Sequence, residues 1–556
     1  MSSNRLIYLP LGGAGEIGMN AYVYGYGPKD NERLILVDLG VTFPDMESSP
    51  GVDLIFADIA WLEERADRLE AIFITHAHED HVGALGHLWP RLKAPVYTRA
   101  FTGNIAVRKL EERGVDPACV NIVTAYPETI EAGPFTVSFL PVSHSIPESS
   151  GMVIDTPAGR IVHSGDFKLD RNPVVGEAFD PDLWASIAGD GIKALTCDST
   201  NVFSPAAGRS ESTVGPAIRQ LVEKSSGMVV ATTFASNIAR VKTLAEAGRD
   251  AGRSIVLLGR AMRRMVEAGV QSGVLNNFPT TVSPEDAISI PRENLMLLVT
   301  GSQGERRAAS AQLSRGKYLG LTMKEGDTFL FSSKTIPGNE RGVLSIVNAF
   351  SQMGVDVVDD AADLYHVSGH ANRPDLEAVH KIMKPQMVIP MHGEHRHLRE
   401  HVKLAGENGF PAIIATNGTM LDLTGDEPRV VEHIESGRTY LDGKIQIGAL
   451  DGVVRDRIRM ALNGLILVTL IVDEDDEPLG EPWVEIKGLP QQGNSNAPLA
   501  EVLEGDLAQL LGRADDKTLR DDDKLEEALR RRTRQVALDE IGRKPEVIVV
   551  VSRLMA

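Results

Sequence analysis

The sequence predicts an α/β protein of several domains, and three observations carry that reading. Its 556 residues exceed one ordinary domain and leave room for three or four, each with its own core. Short apolar, β-branched runs alternate with helix-like stretches over most of the length. Run after run ends in a histidine or aspartate at its carboxyl tip, where open α/β sheets place binding groups.

Residues 6–11 read as the first strand. The next stretch, Gly12-Gly13-Ala14-Gly15-Glu16-Ile17-Gly18, contains GxGxxG, and Asp38 follows Gly18 by twenty residues. A dinucleotide-binding unit shows both features, but it also needs a helix after the glycines, with its amino terminus facing a pyrophosphate. Residues 19–27 are aromatic, β-branched and glycine-rich instead and read as a second strand. The glycines are therefore expected to form a tight turn in an antiparallel meander. Residues 55–69 read as a helix, and residues 69–74 as a buried strand.

That strand runs into Thr75-His76-Ala77-His78-Glu79-Asp80-His81, and a helix-like run follows over residues 82–88. Imidazole and carboxylate suit zinc and related divalent ions. A polar surface loop would explain the histidines less well, because they are wedged between a strand and a helix. Asp38, at the tip of the run 34–37, is expected to hold this loop by hydrogen bonds. The runs 135–142, 160–163 and 194–197 lead to His144, Asp166 and Asp198. Each singly would pass for a cap; together they repeat one plan. His163 lies within its run and reads as a core histidine.

After Asp198 the pattern changes. Residues 228–234 read as a strand, and the turn Ala235-Ser236-Asn237 sits at the amino terminus of a following helix, a favourable place for an anion. Residues 254–258 and 295–299 are nearly continuous apolar runs, as in a parallel sheet. Between 209 and 354 there are 18 Lys and Arg against 12 Asp and Glu, in a chain of net charge −20. The whole-chain charge argues against a polyanionic partner; the basic middle permits nucleic acid locally. Two tracts after strands, 300–305 (Thr-Gly-Ser-Gln-Gly-Glu) and 332–340 (beginning Ser332-Ser333), would let backbone approach a phosphate, and ordinary turns explain them about as well. Residues 364–372 form the next polar cluster. The run 386–391 ends in His392. His395, His397 and His401 follow on a helix-like stretch and read as solvent-facing.

The domain plan is a core in two parts, 1–208 and 355–429, interrupted by an insertion at 209–354. A linker at 430–452 and a small α/β domain at 453–556 follow. The last domain carries no motif with chemistry. Cys119 and Cys197 cannot build a disulfide framework and lie in no CxxC spacing, so a reducing cytoplasm is expected and a cysteine zinc site is not. The amino terminus has no secretory pattern, and the apolar run 465–472 is too short to span a bilayer, so no membrane partner is expected.

His76, His78, Asp80, His81, His144, Asp166 and His392 exceed what one tetrahedral zinc takes. They suit two metals sharing a carboxylate, a centre that hydrolyses esters of phosphoric or carboxylic acids. The ligands alone do not select between these.

On these residues the chain resembles the metallo-β-lactamase superfamily, and within it the β-CASP nucleases, where it is similar to the bacterial ribonuclease J family. Asp38, His76/His78/Asp80/His81, His144 and Asp166 meet the superfamily pattern. Asp198, His370 in His-Val-Ser-Gly-His-Ala and His392 in Pro-Met-His-Gly-Glu meet the β-CASP pattern. The 300–305 tract and Ile-Pro-Gly-Asn-Glu at 336–340 are also similar. The likeness covers about residues 6–419. Arg306-Arg307 departs from it, standing where relatives carry Pro and Met.

The resemblance implies an αββα core with an inserted β-CASP α/β domain and a small carboxyl-terminal α/β domain. It implies two divalent ions, zinc foremost, with Mn2+ or Mg2+ as alternatives. One would take His76, His78 and His144, the other Asp80, His81 and His392, with Asp166 between. Asp80 and Asp38 belong to the catalytic apparatus in this scheme, and His370, oriented by Asp198, serves the leaving oxygen. Ala235, Ser236, Asn237, Ser332, Ser333 and His366, Val367, Ser368, Gly369 and His370 would hold single-stranded RNA. The implied activity is 5′-to-3′ exonuclease action on 5′-monophosphate ends, with internal cutting, in RNA decay and maturation. Homodimers or homotetramers and RNA-degradation partners are implied as well. Competing readings are a small-molecule metallohydrolase, which would lack the long insertion, a DNA nuclease, a nucleotide-binding module built on the glycine turn, and a silent scaffold.

Overall fold

The structure is a computed structural model and describes residues 4–554. It divides into two compact units, the first running to Thr42 and resuming over Phe56–Arg438, the second comprising Phe43–Ile55 and the chain from Thr439.

The first unit is built on two mixed sheets. The eight-stranded sheet has the order Arg429–His433, Thr419–Asp422, Asn4–Gly12, Ala21–Pro28, Arg33–Val37, Leu69–Phe73, Val96–Thr98 and Val120–Ile122. The six-stranded sheet has the order Ile130–Ala132, Phe135–Pro141, Ser150–Thr156, Gly159–His163, Ala194–Asp198 and Val388–Met391. Tyr8, Tyr24, Val37 and Phe73 from one sheet pack against Phe139, Ile154, Ile161 and Ile389 from the other. Each such side chain contributes about 1.5–3 kcal/mol by leaving water. Trp184, Leu376, Val379 and Leu404, from the helices Pro181–Ala188, Arg373–Met383 and His395–Glu407, cover the outer face of the six-stranded sheet over Leu195 and Cys197. The result is the expected αββα sandwich.

The strand after the glycine turn is Ala21–Pro28, antiparallel to Asn4–Gly12, as the sequence implies. Gly13 has φ +83°, and a Cβ there would lie 2.2 Å from Asn20 Oδ1. The turn is thus tight, and a strand follows it, not the helix a dinucleotide site requires.

The insertion, joined by Asp356–Val358 just past its expected end at 354, carries a wholly parallel five-stranded sheet, in the order Ser254–Leu258, Leu295–Val299, Val229–Thr232, Thr328–Phe331 and Asp356–Val358. Its continuous apolar runs follow from burial on both faces. The chain leaves the six-stranded sheet after Asp198 and returns at Val388–Met391, the neighbouring parallel strand, with Asp198 opposite Met391. That pairing sets Asp198 and His392 side by side although 194 residues separate them.

Two expectations fail. Residues 55–69 are not one helix: they hold the strand Leu54–Ala57, the single turn Ala60–Glu63 and the 3-10 turn Ala66–Arg68. The Leu-Ile-Phe-Ala run prefers an extended, half-buried backbone. His397 and His401 do not face solvent; with Leu398, Leu404 and Ala405 they form the buried stripe of helix His395–Glu407, and His395 alone of the three is exposed.

In the second unit, Trp483–Lys487, Leu465–Val472 and Glu546–Arg553 form a three-stranded sheet. The helices Leu499–Leu511 and Asp522–Ile541 cover the face that carries Ile466, Val468, Leu470 and Val472. Among the described residues, no helix is long and apolar enough to cross a membrane.

Candidate metal centre

The loop after Leu69–Phe73 delivers the first ligands because its backbone is pinned from below. Asp38 accepts from Thr75 N at 2.8 Å and lies 2.7 Å from His81 Nδ1. A Cβ on Gly40 would lie 1.6 Å from Asp80 O, so only glycine lets the neighbouring chain pass beneath the loop. Asp38 and His392 both adopt the left-handed backbone region, with φ +65° and +48°. Side chains seldom take it unless the surroundings enforce it, as at functional sites.

The seven candidate ligands converge. His76, His78, His144 and Asp166 bring one ligand atom each to within 4.8 Å of one another, and so do Asp80, His81, Asp166 and His392. Asp166 is common to both groups. His76 Nε2 lies 3.0 Å from His78 Nδ1, which lies 3.1 Å from His144 Nε2. His81 Nε2 lies 3.2 Å from Asp166 Oδ2, and His392 Nε2 3.2 Å from Asp80 Oδ2. The far ring nitrogens are engaged elsewhere: His76 with Thr75 Oγ1, His81 with Asp38, His144 with Gly369 O and His392 with Thr200 Oγ1. Such bonds fix the ring orientation in which the inward nitrogen can ligate.

The electrostatics fit cations. In the polypeptide alone, burial, then the neighbouring imidazoles, push His76 and His144 well below the usual histidine range, and burial takes His78 down to about 4. These three stay neutral and can donate lone pairs. Burial works against a charged His81, yet Asp166, Asp80 and Asp38 raise it to about 10; His392 is likewise driven well up against burial, foremost by Asp166. Burial works against the charged carboxylates too, but Asp80 is held low chiefly by His81 and Asp166 chiefly by His392. The buried carboxylates thus collect positive charge, and divalent ions would displace the protons. Asp166 Oδ1 is buried without an aligned hydrogen-bond donor, His392 Nδ1 standing 3.1 Å from it. The donor set therefore fits divalent ions.

Beside this cluster His370 Nδ1 lies 2.7 Å from Asp198 Oδ2. Thr200 donates to Asp198 Oδ1 from its backbone at 2.9 Å and from its hydroxyl at 2.7 Å. Burial would lower His370, but Asp198 raises it. Asp166, Asp198, His370 and His392 form a further group with ligand atoms within 4.8 Å.

The residues expected to hold RNA are arranged unevenly. Ser332 is buried, its Oγ donating to Tyr365 O and accepting from Arg240. Asn237 caps its helix by accepting from Arg240 N, with Ala235 and Ser236 half-buried before it. Ser333 Oγ and His366 Nδ1 are buried without partners. Val367 is buried, Ser368 Oγ accepts from Asn201, and Gly369 O serves His144. Burial, then Arg240, Lys334, Lys168 and Arg209, hold His366 down to about 3. Of those cations, Arg240 and Lys168 are paired with Glu211 and Asp170.

Sequence reading missed Thr75, Asn20 and Thr200. Asn20 Nδ2 lies 3.0 Å from Asp80 O and from His81 Nε2, and Tyr22 donates to Asn20 Oδ1. Position beside a ligand or dyad residue would have flagged Thr75 and Thr200; nothing local flags Asn20.

Comparison with known proteins identifies the family. Four family models match in succession: the metallo-beta-lactamase superfamily over residues 15–198, the ribonuclease J beta-CASP domain over 226–350, the Zn-dependent metallo-hydrolase RNA specificity domain over 354–415 and the ribonuclease J C-terminal domain over 452–554. The ribonuclease J of Sinorhizobium meliloti is 38% identical over 556 residues, spanning 99% of this chain and 98% of the relative. Ribonuclease J of Corynebacterium glutamicum is 34% identical, over 91% of this chain and 71% of the relative, and ribonuclease J 1 of Streptococcus pyogenes is 34% identical, over 85% and 84%. A solved structure from Enterococcus faecalis, of unknown function, shares the fold with TM-score 0.51 and 16% identity, covering 75% of this chain and all of that one.

Proposed function

The chain belongs to the ribonuclease J family and is a metal-dependent hydrolase, and from that premise we propose that it degrades single-stranded RNA 5′ to 3′ from monophosphate ends and also cuts internally. The reading rests above all on the two ligand groups joined at Asp166, with the His370–Asp198 pair beside them.

Two divalent ions, zinc foremost, would supply an activated water and neutralise the oxygens at phosphorus. His76, His78 and His144 would hold one ion and Asp80, His81 and His392 the other, with Asp166 touching both. Asp38 and Asn20 keep the loop ligands aimed. His370, its Nδ1 tied to Asp198, would offer Nε2 to the leaving ribose oxygen and return a proton to it. Ser333 and His366, buried polar groups without partners, would take a phosphate or sugar oxygen, and Ser368, Gly369 and the turn 235–237 would line the strand's path. Lys334 and Arg209 supply positive charge that phosphates seek, while Arg240 and Lys168 are paired with Glu211 and Asp170. Ser332 serves this site indirectly, through Arg240. The enzyme would work as a homodimer or homotetramer in the cytoplasm, in RNA decay and maturation alongside other degradation proteins.

The test is digestion of end-labelled RNA carrying a 5′-monophosphate, triphosphate or hydroxyl, by metal-loaded and metal-stripped protein. Mononucleotide release from the monophosphate end, lost on stripping, supports the reading. Equal attack on all three ends, or intact RNA, contradicts it.

A further inference from the structure

A second cluster of ligand atoms lies outside the proposed catalytic centre. Cys197 Sγ and a ring nitrogen each of His380 and His401 fall within 4.8 Å of one another, and all three residues are fully buried. Leu376, Val379, Met383 and Leu404 belong to the same core cluster, and the ring of Phe410 stands edge-on to His380. From these groups we propose that Cys197, His380 and His401 bind a third metal ion, of the zinc class, deep in the first unit.

The geometry is that of ligands. His380 Nε2 and His401 Nε2 stand 3.1 Å apart. The imidazole nitrogens of the catalytic cluster stand 3.0 and 3.1 Å apart. Two facing lone-pair nitrogens at that distance require a proton or a cation between them. Ser199 Oγ donates to Cys197 O at 3.3 Å and lies 2.9 Å from His401 Nδ1. His401 Nδ1–H therefore donates to Ser199, and Nε2 carries the lone pair, the usual arrangement behind a ligating histidine. His380 Nδ1 is buried with no partner at all. The nitrogen of His380 that is engaged is the one turned toward His401. Burial pushes the Cys197 thiol up, so binding would release its proton; the resulting thiolate with two imidazoles suits zinc, which accepts three protein ligands where water takes the fourth position.

The place gives the ion a use. Cys197 directly precedes Asp198. His380 lies on the helix Arg373–Met383, which starts just after His370, and His401 lies on His395–Glu407, which starts just after His392. One ion would tie together the three segments that present Asp198, His370 and His392. Cysteine spacing could not reveal it, because the ligands come from positions 197, 380 and 401.

The test uses full-length protein loaded with cobalt(II) in place of zinc. The catalytic cluster contains no sulfur ligand, and a Cys119→Ser background removes the other thiol, so in that background a thiolate-to-cobalt charge-transfer band in the near ultraviolet reports Cys197 alone. The expected result is that band in the Cys119→Ser protein, its loss on adding Cys197→Ala or His380→Leu, and one metal equivalent fewer in both further variants by elemental analysis. A cobalt-saturated Cys119→Ser protein without the band would overturn the site and leave a hydrogen-bonded histidine pair. The Cys119→Ser spectrum alone decides this if a further variant misfolds.

Discussion

Replacing His370 by alanine separates a proton-handling residue from a metal ligand. The Nδ1 of His370 is held at 2.7 Å by Asp198, itself buried and bonded twice by Thr200, so the ring presents one nitrogen in a fixed direction. A positioned general acid is worth about 10²–10⁴ in rate, or about 3–5 kcal/mol of barrier. His370→Ala should therefore lose about that much in single-turnover cleavage of 5′-monophosphate RNA while keeping its full metal content. Asp198→Asn should fall in the same direction, and the double variant should be scarcely slower than His370→Ala, since the two residues act as a unit. Metal content by elemental analysis and rates by quenched flow supply both readouts. A His370→Ala protein that loses metal would make His370 a ligand within the group Asp166, Asp198, His370 and His392. Cleavage within about threefold of wild type, under 1 kcal/mol, would refute the proton role.

His81→Ala should lose metal and activity together, because His81 Nε2 faces Asp166 and its other nitrogen faces Asp38; elemental analysis beside an RNA assay checks this. Gly40→Ala should displace the metal loop, since its methyl would overlap Asp80 O; overpacking of this kind costs about 1–3 kcal/mol, read as a lower denaturation midpoint with weakened metal binding. His163, near pKa 3 in the folded chain through burial, takes up its proton mainly when unfolded. The unfolded state then binds more protons between pH 6.5 and 3, so stability falls on acidification through that window. Between pH 6.5 and 5 this residue should cost about 2 kcal/mol, and the stability gap between wild type and His163→Gln should shrink by that amount. A gap constant with pH would contradict the buried neutral imidazole.

The metal loop was legible because its ligands are local, packed between one strand and one helix. His144, Asp166 and Asp198 were legible as a repeated strand-tip habit. The adjacency of Asp198 and His392 was not, because it arises from parallel pairing of strands on either side of the insertion. His397 and His401 were misread because an imidazole is polar in composition yet sits on the apolar stripe of its helix. The 55–69 segment was misread because an apolar run beside a short helical turn has no clear period of its own. Thr75, Asn20 and Thr200 escaped because hydroxyls and amides are common everywhere; only their distances to ligands single them out.

The central claim is that the dispersed histidines and aspartates hold a pair of cations. Anomalous diffraction at the zinc edge from crystals of the zinc-loaded protein measures this directly. Two strong peaks flanking Asp166 are expected, one among His76, His78 and His144, the other among Asp80, His81 and His392. A single peak there, or none, would contradict it.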